Sequence, residues 1–421
     1  MVDDDTPVSP TPVPRGQRPD TPRAGRHEAQ DRTSSREVED TGRTGLWLVG
    51  ARGSVATTAT LGALAVAEGL TGRTGLVSEL DDVARAGLVG VDRLVIGGHD
   101  VSDVRLVQRA RDLASTGVVP GALVERLADA LADVDARVRP GAGSAGEPQG
   151  RAADRLVEDL TTFRERHGLD RVVVVDVSST EAPFAPTPDV QDLAALEAAL
   201  ARGASPLPPS SLYAYAAFRA GCPYVAFTPS TGACLGALEE LAKVQHLPWA
   251  GRDGKTGETL VKTALAPMFA QRALAVRSWS AFNLLGGGDG RTLADPVTAL
   301  SKTGTKAMAV EHILGHPVPG PVRIDYVEDM GDWKTAWDHI TFEGFLGTRM
   351  TLQFTWQGCD SALAAPLVLD LTRLMARAHE AGRSGPVSEL GFFFKEPLGG
   401  HEHALGAQWA ALVRWCAELA S

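Results

Sequence analysis

Apolar residues fall in short continuous runs along the first half of the chain: residues 46–49 (LWLV), 75–78 (GLVS), 94–96 (LVI), 171–177 (RVVVVDV) and 223–227 (PYVAF). A run apolar at every position buries both of its faces, whereas strict alternation marks a strand with one wet face. Between the runs lie stretches of helical composition, 59–70 and 190–202, the second with Leu193, Leu196 and Leu200 on one side. Together they predict a parallel sheet covered by helices. Residues 140–150 (PGAGSAGEPQG) predict a flexible loop inside this region. From about Leu260 aromatic residues become frequent, among them Trp279, Phe282, Trp333, Trp337, Phe354 and Trp356, and 350–356 (MTLQFTW) alternates. That change predicts a second, more antiparallel unit. Residues 1–43 hold no Leu, Ile, Phe, Trp or Tyr and are rich in Pro, Arg, Asp, Thr and Ser. Such a segment buries too little apolar surface to offset its ordering entropy, so a disordered and dispensable tail is expected.

At 421 residues and 44% hydrophobic, the chain exceeds one ordinary core, which implies two domains or one elaborated domain. The formal net charge of -11 argues against a nucleic-acid protein, because phosphate-backbone binding needs a dense basic face and none appears in the sequence. A small molecule is the expected ligand. Cys222, Cys234, Cys359 and Cys416 are widely spaced, fit neither a zinc knuckle nor a disulfide framework, and read as reduced core residues. The start Met1-Val2-Asp3-Asp4-Asp5 lacks the features of a signal peptide, and no later segment has the uncharged length of a membrane helix. A cytoplasmic protein without a membrane partner is expected.

The first apolar run leads into VGARGSVATT, Val49 to Thr58. Gly50 permits a tight turn, Gly53 a close backbone approach, and the helix that follows offers free N–H groups and its positive dipole end to a pyrophosphate. The spacing is G-x-x-G-x-x-A rather than G-x-G-x-x-G, so a ligand-free turn is an equal alternative for this motif alone. Other expected strand ends carry polar or glycine-rich residues: Glu79, Gly97 to Asp100, and Ser178 to Glu181. Ligands of open α/β sheets bind beyond such ends.

A second group of motifs is rich in lysine. In SKTGTK, Lys302 and Lys306 are spaced i, i+4, so on a helix both ammonium groups face one way and repel unless an anion joins them. GRDGKTGETLVKT, Gly251 to Thr263, combines Asp253, Lys255, Thr256, Gly257 and Thr259 in a loop suited to a phosphate monoester. Lys334 lies in GDWKTAWDH. Lys395 follows three phenylalanines, where partial desolvation makes it a candidate for a lowered pKa and a chemical role, with a snorkelling lysine as the alternative.

The sequences DGKTGETLVKTALAPMF (from Asp253), NLLGGGDG (from Asn283), SKTGTK (from Ser301), GDWKTAWD (from Gly331), CDSALAAPLVLDL (from Cys359) and FFFKEPL (from Phe392) occur in one order. In that combination the chain resembles the myo-inositol-1-phosphate synthase family, in particular its shorter archaeal-type form, from about Leu46 to the end. The resemblance implies an α/β fold: a Rossmann-like NAD-binding domain, completed by the C-terminal segment, with an inserted α+β catalytic and tetramerisation domain. Applied to this chain, residues 44–259 plus 366–421 would bind NAD and residues 260–365 would be inserted.

The resemblance also implies chemistry: NAD-dependent cyclisation of glucose 6-phosphate to myo-inositol phosphate, in a cytoplasmic homotetramer, without net NAD consumption. Lys302, Lys306, Lys334 and Lys395 match the lysines that stabilise developing negative charge and transfer protons, and Asp253 and Asp360 match the acids that orient them. Thr256, Gly257, Glu258 and Thr259 match the phosphate-contacting loop, and Asn283 and Asp289 further substrate contacts. Gly50, Ala51, Arg52, Gly53, Ser54, Val55, Asp100, Ser178, Ser179 and Thr180 match the cofactor contacts. Asp289 is also the candidate ligand for a divalent metal ion, with a hydrogen-bonded turn aspartate as the alternative.

The chain departs from the family at Gly287 and Gly288, where side chains usually stand, and at Arg291, where the archaeal form has lysine. Those changes bear on substrate identity, so cyclisation of another sugar phosphate, such as fructose 6-phosphate to a five-membered cyclitol phosphate, is the alternative. A non-catalytic NAD-binding protein and a dehydrogenase that releases NADH both fit less well, since neither needs converging lysines.

Overall fold

The computed structural model describes residues 42–143, 146–286 and 309–420. The expected tail, apart from its last two residues, and Lys302, Lys306, Gly287, Gly288, Asp289 and Arg291 lie outside the described residues. In chain order the strands are β1 (Thr44–Val49), β2 (Leu94–Asp100), β3 (Val138–Pro140), β4 (Arg171–Asp176), β5 (Tyr224–Ala226), β6 (Pro248–Gly251), β7 (Ala275–Leu285), β8 (Val322–Tyr326), β9 (Trp333–Glu343), β10 (Arg349–Cys359) and β11 (Gly385–Pro386). The longer helices are α1 (Ser54–Ala67), α2 (Leu106–Ser115), α3 (Gln149–Arg166), α4 (Leu193–Ala201), α5 (Pro209–Arg219), α6 (Gly236–Val244), α7 (Gly257–Gln271), α8 (Asp360–Glu380) and α9 (Leu405–Leu419).

Seven strands form one parallel sheet in the order β11-β6-β5-β4-β1-β2-β3. Its apolar runs explain the arrangement. Leu46, Leu48, Val173 and Val175 pack on one side against Ala56 and Ala59 of α1 and Val368 and Leu371 of α8. The intervening Trp47, Val49, Val172 and Val174 pack on the other against Leu156, Leu212 and Leu238 of α3, α5 and α6. A strand buried on both faces needs an apolar residue at each position, which is the pattern these runs show. Strand order reverses between β1 and β4, so the connections leaving their carboxyl ends diverge and open a crevice. The chain returns after β10 through α8 to add β11 at the far edge.

The expected strand at 75–78 is not one. Residues Val77–Glu79 form a 3-10 turn whose Val77 and Ser78 N–H groups donate to the carboxylate of Asp370 at 2.9 and 3.0 Å. Asp370 lies on α8, nearly three hundred residues along the chain, and burial pushes its carboxyl up to about 6. A buried acceptor thus captured the backbone donors that a sheet neighbour would have used. Glu79 accordingly ends no strand; it accepts from Arg73 and Arg373 at 2.6 Å.

The second sheet has the order β10-β9-β7-β8, antiparallel except for the β7–β8 pair. Val276 and Trp279 of β7 and Ile340 of β9 face inward onto Ala266 and Phe269 of α7. Phe269 lies 5.0 Å from Phe342 and 6.3 Å, edge-on, from Trp279 between ring centroids.

Candidate functional site

The crevice between the ends of β1 and β4 widens toward the second sheet into a cleft of about 340 Å3. Its first wall is the turn after β1. Gly50 has φ +82°, and a Cβ there would approach the Cα of Ser178 to 2.9 Å, so only glycine lets the β1 and β4 turns touch. Gly50 and Ala51 donate their N–H groups to the His99 carbonyl at 2.9 and 3.1 Å. Gly53, Ser54 and Val55 open α1 at the cleft surface. The helix has no side-chain cap and no acidic residue in its first turn, which leaves its first N–H groups for an anion.

Asp100, at the end of β2, accepts from the N–H groups of Arg52 at 2.6 Å and Ser102 at 2.7 Å, which fixes its carboxylate beside the turn. On the opposite wall, Ser178, Ser179 and Thr180 line the cleft. Ser178 is held from below: its hydroxyl donates to Asp176 at 2.6 Å, and Tyr224 donates to the same carboxylate at 2.9 Å. Full burial raises the Asp176 pKa. This geometry fits a dinucleotide: a glycine floor, free helix N–H groups at the pyrophosphate position and a carboxylate at the ribose position.

The far end of the cleft brings together residues distant in sequence. Residues 252–255 run antiparallel to 393–396, with Lys255 N–H donating to Phe393 O at 2.8 Å and Lys395 N–H to Asp253 O at 2.7 Å. Gly254 permits this, since a Cβ there would fall 2.2 Å from the Phe227 ring. The pairing sets Lys395 Nζ 2.8 Å from Asp253 Oδ1, both side chains largely buried. Asp253 Oδ2 is buried and has no partner among the described residues.

The other lysine is placed by sheet register. β9 pairs with β10 so that Lys334 stands opposite Gly358, two residues before Asp360 at the start of α8. Lys334 Nζ then lies 3.4 Å from Asp360 Oδ2, while Thr256 Oγ1 donates to Asp360 Oδ1 at 3.1 Å. Two cation–carboxylate pairs thus face one cleft.

Other expected contacts lie elsewhere. Glu258 and Thr259 are buried beneath the cleft: Glu258 meets Lys262 at 2.6 Å, and Lys262 also meets Asp338 at 3.4 Å. Burial, with the Glu258 charge nearby, raises the Asp338 pKa. Asn283 is wholly buried on the inward face of β7. Lys255 does not reach the cleft. Its Nζ donates to Gln408 of α9 and lies 5.9 Å above the Phe392 ring, and burial pushes its pKa down to about 7. The Arg52 guanidinium is turned onto Asp135 at 2.8 Å. Among the described residues no group of His, Cys, Asp and Glu is arranged to hold a metal ion.

Two lining residues carried no signal in the sequence. Arg109 is one of two arginines on a polar helix, and Trp333 stood among the aromatic residues of the second sheet. Trp333 donates its indole N–H to the Thr116 carbonyl at 2.8 Å, which ties the start of β9 to the end of α2.

Residues 44–416 match the profile of the family described as myo-inositol-1-phosphate synthase. The chain belongs to this family. An inositol-3-phosphate synthase of Bacteroides thetaiotaomicron is 31% identical over 408 residues, covering 88% of this chain and 94% of that protein. One of Trypanosoma brucei brucei is 30% identical over 388 residues, covering 80% and 73%. The crystal structure of the Caenorhabditis elegans inositol-3-phosphate synthase superposes with a TM-score of 0.78 at 22% identity, covering 90% of this chain and 86% of that one. A myo-inositol-1-phosphate synthase-related protein from Thermotoga maritima gives 0.72 at 24%, covering 89% and 98%. At those identities the superpositions establish the fold: Rossmann-like, with a second sheet. Membership makes the protein an NAD-dependent enzyme of the intramolecular isomerase and lyase type.

Proposed function

We propose that the protein converts glucose 6-phosphate to a myo-inositol phosphate. The observation that carries this is the convergence of Lys334–Asp360 and Lys395–Asp253 on the cleft that also holds the dinucleotide turn. NAD, which the Gly50 turn, the α1 N-terminus and Ser178 to Thr180 would hold, would supply a hydride acceptor for C5 and a hydride donor to the same carbon, with no net consumption. The substrate loses a hydride from C5 and a proton from its hydroxyl, then a proton from C6. The C6 carbanion attacks C1, the C1 oxygen takes a proton, and the C5 ketone regains hydride and proton. Negative charge develops on the C5 and C1 oxygens, and Lys334 and Lys395 are the described cations that stabilise it there. Asp360 and Asp253 orient those ammonium groups, and Thr256 with the α7 N-terminus receives the phosphate. Family likeness adds Lys302 and Lys306 to the same task.

The proposal extends to assembly and organisation. A homotetramer is supported by the outward face of the second sheet, where Leu284 and Trp337 are 41% and 38% exposed. The division into residues 44–259 plus 366–421 and residues 260–365 follows the change from parallel to mainly antiparallel sheet. A cytoplasmic location suits the four free cysteines.

The test is to incubate the purified protein with catalytic NAD and, separately, glucose 6-phosphate and fructose 6-phosphate, with products identified by NMR. An inositol phosphate from the first without net NADH is expected. A five-membered cyclitol phosphate from the second alone would overturn the substrate assignment and keep the chemistry; steady NADH release would overturn the cyclisation itself.

A further inference from the structure

Arg109 projects from α2 into the cleft wall shared with Gly53, Ser54 and Val55. Its Nε–H donates to the Arg52 carbonyl at 3.3 Å, a long bond, and its terminal nitrogens have no acceptor among the described residues. Arg52, the cation inside the turn itself, is committed elsewhere: Nε to Asp135 at 2.8 Å and Nη1 to the Ser102 carbonyl at 2.6 Å. Asp135 also accepts from the Leu106 N–H at 3.3 Å and from Arg105 at 2.7 Å, so it anchors the start of α2. The helix carrying Arg109 is therefore set in place before any ligand arrives.

We propose that Arg109, not Arg52, is the side chain that neutralises the pyrophosphate of the bound dinucleotide. The inference rests on NAD occupying this cleft. The free N–H groups of α1 serve phosphate oxygens from the floor, and a guanidinium entering from the side adds charge-assisted, two-pronged hydrogen bonds that the backbone cannot supply. A planar fork held at Nε by a carbonyl still presents its two outer nitrogens. Arg52 instead ties the turn to Asp135 and keeps Asp100 in position.

The experiment measures binding of NAD and of ADP-ribose, which retains the pyrophosphate and lacks nicotinamide, by calorimetry at two salt concentrations. The full chain, Arg109→Gln and Arg109→Lys are compared, with the melting temperature of each ligand-free protein. Arg109→Gln should weaken both ligands about tenfold to a hundredfold and flatten the salt dependence. Arg109→Lys should recover part of the affinity, with melting temperatures unchanged. Arg109→Gln binding both ligands as the wild type does, with the same salt dependence, would overturn the proposal. So would equal losses in Gln and Lys variants that both melt early, since the role would then be structural. A wild-type chain that binds neither ligand would overturn the cofactor assignment of the cleft, and the proposal with it.

Discussion

Lys255→Met probes how the loop at 253–256 is held. Lys255 sits between Asp253 and Thr256, is 3% exposed, and its burial pushes the amine down to about 7 from an ordinary 10.5. Above pH 7 the folded protein therefore holds it neutral, donating to Gln408, while the unfolded chain keeps the proton up to the ordinary value. The unfolded state binds more protons across that window, so stability rises with pH from about 7 toward 10.5 and loses this contribution as pH falls through 7. Each unit is worth about 1.4 kcal/mol, so from pH 7 to pH 9 this one group should add about 2 kcal/mol. His403, near Lys255, has its own pKa lowered from 6.5 by burial and then by His312 and Lys255, and it is present in both proteins compared. Methionine fills a similar volume over the Phe392 ring and does not titrate. Urea unfolding of both proteins at pH 7, 8 and 9, at one protein concentration, gives the difference directly. The wild type should gain on the variant by about 2 kcal/mol over that range. A difference independent of pH would refute the reasoning, because the amine would then keep its proton in the fold.

Four further substitutions test the site. Lys334→Met and Lys395→Met should each lower kcat by about a hundredfold to a thousandfold, as loss of an oxyanion partner does, with NAD affinity preserved in calorimetry. Lys262→Met leaves Glu258 and Asp338 buried together without their shared cation and should cost about 3–5 kcal/mol in denaturant unfolding; a loss below about 1 kcal/mol would mean that the two acids share a proton instead. Gly254→Ala drives a methyl group into the Phe227 ring and should lower stability by about 1–3 kcal/mol, read as an earlier thermal transition together with reduced turnover.

Much of the large sheet was legible because a strand buried on both faces has a signature of its own. VVVV at 172–175 could be served only by helices above and below, and the structure supplies α8 on one side with α3 and α5 on the other. The run at 75–78 carried a shorter form of the same signal and became a 3-10 turn, since apolar content reports burial and does not say whether a strand or a carboxylate takes up the backbone donors.

The turn at Gly50 was equally legible, because a left-handed φ and a close approach to Ser178 exclude a side chain there whatever surrounds it. The motifs singled out Lys334, Lys395, Asp253 and Asp360 as candidates. Their pairing was decided by tertiary structure alone. Lys334 meets Asp360 because the β9–β10 register sets Lys334 opposite Gly358, and a slip of one residue would turn it to the other face. Lys395 meets Asp253 because two segments 142 residues apart exchange backbone hydrogen bonds. Arginine 52 or arginine 109 at the dinucleotide turn is the same kind of question: both are cations in polar surroundings, and only the position of Asp135 in space determines which of them is left for a ligand. Local composition sets the period of burial and the freedom of the backbone; which charges become neighbours follows from packing, where a displacement of a few ångströms changes the partner.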